Sequence, residues 1–388
     1  MFTGFAIGII LLNGLCSHLA FVSEVLPEEI IVSSEQRTVG YFARVFMGGL
    51  ALAATGCGSD GPIGPDPRSY SVSAPVRIYE LGPAQELGIP EGFGLDINDA
   101  GTVIGGKPTD GVGLSGFMWT AAGGVKDLGS PGGGTYTWAL AINGSGQVAG
   151  GAIARGDSMP AAYLRSASGT FRPVGMGKFS FANAVNDAGV VGGQTGVDGR
   201  VRAFRWTEAS GPVLLRDRGG SFNAVRAVNI HGDAVGMFNT PEDWAQRAAF
   251  WNAAGELREL PRLPGGPYAS AQAINDAGLV GGAADTPSGG SHAVLWYPDG
   301  RMQDIGTLGG RSSIVLGMNE LGEVVGFSDK TTDGELGGFF WTAESGMLEL
   351  PGLPGAKYTQ AQRINENGQV VGYSGGSVVL WQITRPTR

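Results

Sequence analysis

The sequence predicts an all-β protein, a seven-bladed β-propeller of four-stranded blades whose ring is closed by the N-terminal strand. Three observations carry that expectation. A unit of about 45 residues recurs seven times. Each unit holds apolar runs of strand length between turn residues. Glycine reaches 69 of 388 residues, far above the usual ~7%, and with no Gly-X-Y period it must be punctuating turns.

The chain opens on two apolar stretches, Phe5 to Val22 and Val45 to Ala54. Residues 1–36 read as an upstream extension or a misplaced start. Residues 37–56 read as an export signal, because Arg37 and Arg44 precede a short apolar run that ends in small residues before Cys57. The box Ala54-Thr55-Gly56-Cys57 resembles that of bacterial lipoprotein signals, with Ala54 where that family carries leucine. The resemblance implies lipidation of Cys57 and a lipid anchor to a membrane. Residues 57–75, rich in glycine and proline, suit a tether. The repeats occupy 76–383, and 384–388 form a tail.

Within the repeats the strictest signal is an asparagine followed by glycine three and seven residues later. The pairs are Asn98 and Gly101, Asn143 and Gly146, Asn186 and Gly189, Asn229 and Gly232, Asn275 and Gly278, Asn319 and Gly322, and Asn365 and Gly368. Their spacing is 43 to 46 residues. Asn-x-x-Gly fits a three-residue hairpin loop in which glycine takes the left-handed conformation. The asparagine is expected to hold the turn by bonding backbone two residues on.

An apolar run ends in tryptophan in six units: Trp119, Trp206, Trp251, Trp296, Trp341 and Trp381. Arg165 stands there in the second. A short strand ending in Leu-Gly, Ile-Gly or Leu-Pro follows. Each unit therefore reads as four strands, named a to d, with b ending at the asparagine, c after the turn, d ending at the tryptophan and a closing the unit.

The b–c and d–a turns are too tight to cross between blades. The a–b and c–d connections are expected to be longer, about eight to twelve residues at ~3.3 Å each. Small residues four before each asparagine, Gly94 and Ala139 among them, place strand b nearest a crowded axis. Blades then run b-c-d-a. The first strand, Arg77 to Leu81, is of type a and completes the last blade beside Val378 to Trp381, leaving no free edge.

The unit resembles the HAF repeat, a family of bacterial extracellular repeat proteins, over residues ~76–383. The likeness rests on Ala273-Ile274-Asn275-Asp276-Ala277-Gly278, on Ile305-Gly306-Thr307-Leu308-Gly309-Gly310 and on His292-Ala293-Val294-Leu295-Trp296. It implies an exported repeat protein and brings no catalytic residues.

Beyond residue 56 the chain carries 24 basic and 31 acidic residues. That balance argues against nucleic acid as a partner. Both cysteines, Cys16 and Cys57, precede the repeats, so thiolate metal centres are not expected there. His231 and His292 fall at different repeat positions, and the residue after the repeated asparagine varies too much for a calcium motif. No cofactor, metal or catalytic set is predicted. Ligand-binding candidates are Trp138, Trp244, Arg247, Arg155 and Asp157, with Arg200, Asp333 and Glu335 on the same loops. The expected function is a monomeric, exported, membrane-anchored and non-catalytic binding scaffold of the bacterial envelope, for an extracellular glycan or protein. The alternative is a propeller hydrolase or lyase acting on extracellular glycan. Aromatics spread over the long-loop end favour binding, whereas clustered carboxylates with His or Tyr there favour the enzyme.

Overall fold

The computed structural model describes residues 79–109, 113–177, 179–331 and 334–386. The signal segment, Cys57, the tether and Asp333 lie outside the described residues. Those described belong to one compact unit, Arg77–Arg388. They are all-β apart from a 3-10 turn at Pro131–Gly133. Among them no helix is long and apolar enough to cross a membrane.

The first repeat forms an antiparallel meander of Phe93–Ile97, Val103–Pro108, Leu114–Thr120 and Gly124–Asp127, in the order b-c-d-a. The next five repeats follow the same order, with first strands Tyr136–Ile142, Ser180–Val185, Asn223–Val228, Ala269–Ile274 and Gly309–Met318. The seventh supplies Thr359–Ile364, Gln369–Ser374 and Ser377–Thr384. Its outer position is filled from the other end of the chain, by Glu80–Leu81 and then Gln85–Pro90, both antiparallel to Ser377–Thr384. The strand expected from Arg77 to Leu81 is met over Glu80–Leu81, Arg77 and Ile78 lying outside the described residues, and Gln85–Pro90 adds a second segment to the same edge. Each first strand neighbours those of the adjoining repeats, and the seventh neighbours the first.

Every b–c turn has its Asn-x-x-Gly glycine at φ between 72° and 81°, where a side chain is disfavoured. In the first repeat, Gly101 N–H donates to Asn98 O and Asn98 N–H to Thr102 O, as a three-residue hairpin requires. The second glycine has a different cause. Each first strand bulges three residues before its asparagine, as between Gly94 and Asp96 or Ala182 and Ala184. The bulge swings a carbonyl against the facing residue of strand c. A Cβ at Gly105 would collide with Phe93 O, and one at Gly193 with Phe181 O.

Two expectations need correction. The c–d connections are hairpins within a sheet and need not cross, so they are often shorter than eight residues. In the third and seventh repeats they shrink to Asp198-Gly199 and Gly375-Gly376, each pair at positive φ as a tight hairpin turn demands. The small residues of strand b also do not face an axis. They admit the neighbouring sheet: a Cβ on Gly94 would strike Val371 and Val378.

The apolar core is a set of seams, each joining consecutive repeats. Ala141, Leu164 and Val174 of the second meet Val191, Phe204 and Trp206 of the third. Val371 and Leu380 of the seventh meet Leu87, Ile97 and Phe117 at the start. The tryptophans span these seams. Trp251, Trp296 and Trp381 donate their indole N–H to Arg216 O, Pro261 O and Pro351 O, at the end of the preceding repeat's outer strand. Arg165 takes the same role in the second repeat, its Nε donating to Leu128 O at 3.1 Å. This explains how an arginine replaces a core tryptophan: its stem packs and its N–H still reaches the seam.

Candidate functional site

The repeated asparagines bind their neighbours. Each Oδ1 accepts the N–H four residues on, as from Val190 to Asn186 at 2.8 Å, and Asn365 Oδ1 also accepts the expected N–H two residues on, from Asn367 at 3.1 Å. Each Nδ2 donates to the carbonyl oxygen of the next repeat's asparagine. The series runs Asn98 to Asn143, Asn143 to Asn186, Asn186 to Asn229, Asn229 to Asn275, Asn275 to Asn319, Asn319 to Asn365, and Asn365 to Asn98. The side-chain amide supplies an acceptor and a donor at once, whereas an ionised aspartate only accepts and would leave the link to the next repeat unmade.

The following position adds a second set of links. Asp187, Asp276, Glu320, Glu366 and Asp99 accept the N–H of the equivalent residue one repeat earlier. Gly144 and Ile230 have no carboxylate, and those two links are missing. Partial burial pushes the Glu320 and Glu366 carboxyls above the usual range, and nearby carboxylates add to it. These acids are therefore engaged with backbone. Among the described residues, no three His, Cys, Asp or Glu side chains are placed to hold a metal. His292 Nδ1 lies 2.8 Å from Asp304, apart from His231.

The opposite end of the sheets differs. The first strands begin there, and seven residues before the repeated asparagine stand Tyr136, Phe179, Phe222, Tyr268 and Tyr358. Tyr268 and Tyr358 are exposed, and the other three are half-buried. Trp138 does not join them at the surface. It is 8% exposed, stacked on Tyr136 and edge-on to Phe181. Two residues on along a strand, it shares Tyr136's face but sits inside the seam, so it backs the surface ring and is not itself a contact.

Trp244, by contrast, is 65% exposed. It ends the turn Pro241-Glu242-Asp243-Trp244 at a φ of 57°. Arg247 braces that turn, its guanidinium donating to both carboxylate oxygens of Asp243 at 2.9 and 2.6 Å and lying 3.4 Å from Glu259. The Arg247 guanidinium beside Asp243 holds that carboxyl down, at about 2. Ala269 N–H donates to Gln246 O at 3.0 Å, which sets the Trp244 loop beside Tyr268. Arg247 is thus a support for Trp244.

Arg155 and Asp157 are exposed on the second repeat's c–d loop, with the third repeat's two-residue turn between them and Trp244. Among the described residues no hydrogen bond or ion pair joins the two loops. Arg200 donates to Gly219 O, and Glu335 lies 3.8 Å from Lys330. The aromatic column was readable in the sequence as a fixed offset from the asparagine. So were Asp96, Arg226 and Arg363, charged residues inside otherwise apolar or neutral first strands.

No protein-family model and no curated protein matches the chain. Among solved structures, TolB from Acinetobacter baumannii is similar at 10% identity and a TM-score of 0.44, over 60% of this chain and 58% of its own. A streptogramin B lyase is similar at 13% identity and 0.47, over 79% of this chain and 98% of its own. Pyrococcus horikoshii acylaminoacyl peptidase gives 12% and 0.49, over 79% and 54%. The chain thus spans little more than half the length of two of these three.

Proposed function

We propose that the protein is a non-catalytic binding scaffold of the bacterial envelope, built as a closed seven-bladed propeller, exported, and anchored through a lipid on Cys57. The observation that supports binding is the ring of aromatics at the start of the first strands, Tyr136, Phe179, Phe222, Tyr268 and Tyr358, with Trp244 beside Tyr268 on a braced loop. Aromatic faces at a wet surface suit the C–H faces of sugars, so the ligand is an extracellular glycan. Closure is supported by the asparagine series, which returns from Asn365 to Asn98, and by the N-terminal segments beside Ser377–Thr384.

Co-sedimentation with purified peptidoglycan sacculi, and with a panel of insoluble bacterial polysaccharides, tests the binding reading. The protein should pellet with at least one polymer, and Tyr268→Ala/Tyr358→Ala/Trp244→Ala should lower the affinity at least tenfold. No pelleting with any polymer, or equal pelleting of the variant, overturns it. Palmitate labelling tests the anchor: label should enter the protein and be absent from Cys57→Ser, and an unlabelled parent refutes it.

A further inference from the structure

We propose that the space surrounded by the first strands holds an anion site, with Arg226 as principal ligand and Arg363 as the second, for a small oxyanion or a carboxylate group. The bulged position of these strands is polar in four repeats: Asn183, Arg226, Gln272 and Gln362. The next position carries charge in two, Asp96 and Arg363. Arg226 belongs to the fourth repeat, Arg363 to the seventh and Asp96 to the first. Arg226 and Arg363 are nonetheless close enough for their charges to oppose each other. The first strands adjoin one another in series and the seventh adjoins the first, so residues three repeats apart approach each other across the space this series surrounds.

The partners in this cluster are unequally shared. Asp96 accepts the N–H of Ile97 at 2.9 Å and of Ile142 at 2.8 Å, and its Oδ1 lies 3.9 Å from Arg363 Nε. The Arg363 guanidinium also donates to Leu316 O, and to Gln362 O at 2.9 Å. Gly317 leaves it room, since a Cβ there would lie 3.2 Å from Arg363 Cδ. Arg226 has no such company. Its Nε is buried and lacks a hydrogen-bond partner among the described residues.

Two guanidiniums and one carboxylate leave an excess of one positive charge. A buried N–H left without an acceptor, as at Arg226 Nε, is costly. Burial first, and Arg363 second, lower the affinity of Arg226 for its proton, to about 10. An oxyanion or carboxylate between the two guanidiniums would satisfy the free N–H and relieve the repulsion. The planar fork of arginine is shaped for that geometry. Both arginines are half-buried, so solvent reaches the group. This inference stands apart from the aromatic ring and does not require a glycan.

The test is calorimetric titration of the full chain with sodium sulfate and, separately, sodium acetate at constant ionic strength. One saturable site is expected for at least one of them. Tighter sulfate points to a free oxyanion as ligand and tighter acetate to a carboxylate. Arg226→Gln should weaken binding at least tenfold, and Asp96→Asn, which raises the excess charge, should strengthen it. Unsaturable heats with both salts, or equal binding by Arg226→Gln, would mean a hydrated arginine only and overturn the site. Should Arg226→Gln fail to fold, parent crystals soaked in bromide decide the matter. An anomalous peak beside the Arg226 guanidinium supports the site, and bromide only elsewhere refutes it.

Discussion

The side-chain amide of Asn365 donates to the carbonyl oxygen of Asn98 across 2.9 Å, joining residues 267 positions apart. Beside it, Glu366 N–H donates to Asp99 at 2.9 Å. The same bond type links the second repeat to the third and the fifth to the sixth. The contact between the ends of the chain is therefore chemically like those between consecutive repeats. What distinguishes it is the outer strand, which Glu80–Leu81 and Gln85–Pro90 supply in place of a continuous strand.

Asn186→Ala removes two hydrogen bonds, a buried one to Asn229 O at 2.6 Å and a part-buried one from Val190 N–H at 2.8 Å. Each is worth about 1 kcal/mol net, and stranding the partners adds more. Urea denaturation should show a loss of about 2–3 kcal/mol. A loss under 0.5 kcal/mol, by the same reckoning, would mean that the asparagine series is incidental to stability.

The seam residues make a paired prediction. Trp206 is buried between the second and third repeats, under the guanidinium of Arg172, and Trp206→Ala should cost about 3–5 kcal/mol. Arg165→Trp should be tolerated, because an indole N–H can replace Nε at the Leu128 carbonyl. Thermal denaturation of the two variants tests both, and a disruptive Arg165→Trp would show that the seam selects arginine there.

The period, the Asn-x-x-Gly hairpins and the b-c-d-a order were legible in the sequence, because turns impose local residue requirements that repeat. The second glycine was visible as a column, but its cause was not, since the collision with Phe181 O depends on a bulge in the opposite strand. The inter-repeat bonds of the asparagines were equally out of reach, because a single unit shows no partner for Nδ2. At the candidate site Trp244 was found as an off-pattern aromatic. Trp138 was placed in its strand, but its burial was not legible because it depends on Phe181 in the next repeat.

The Asp243–Arg247 pair predicts how the Trp244 loop responds to acid. The Asp243 carboxyl is held down from 3.8 to about 2. Its contribution to loop order is therefore present above about pH 4 and is lost as pH falls through about 2. The fluorescence difference between the parent and Trp244→Phe should stay flat from pH 7 to about pH 4 and change below it. A midpoint above pH 5 would place control of the loop elsewhere.

In the proposed closed ring the N-terminal segment completes the last sheet, and Glu80 faces Thr384 in that pairing. Glu80→Cys/Thr384→Cys, with Cys16 and Cys57 replaced by serine, should form an intramolecular disulfide on mild oxidation, in a monomer, with a mass lower by about two hydrogens; antiparallel partners lie within disulfide reach. Free thiols after oxidation, or bridges only between molecules, would contradict it.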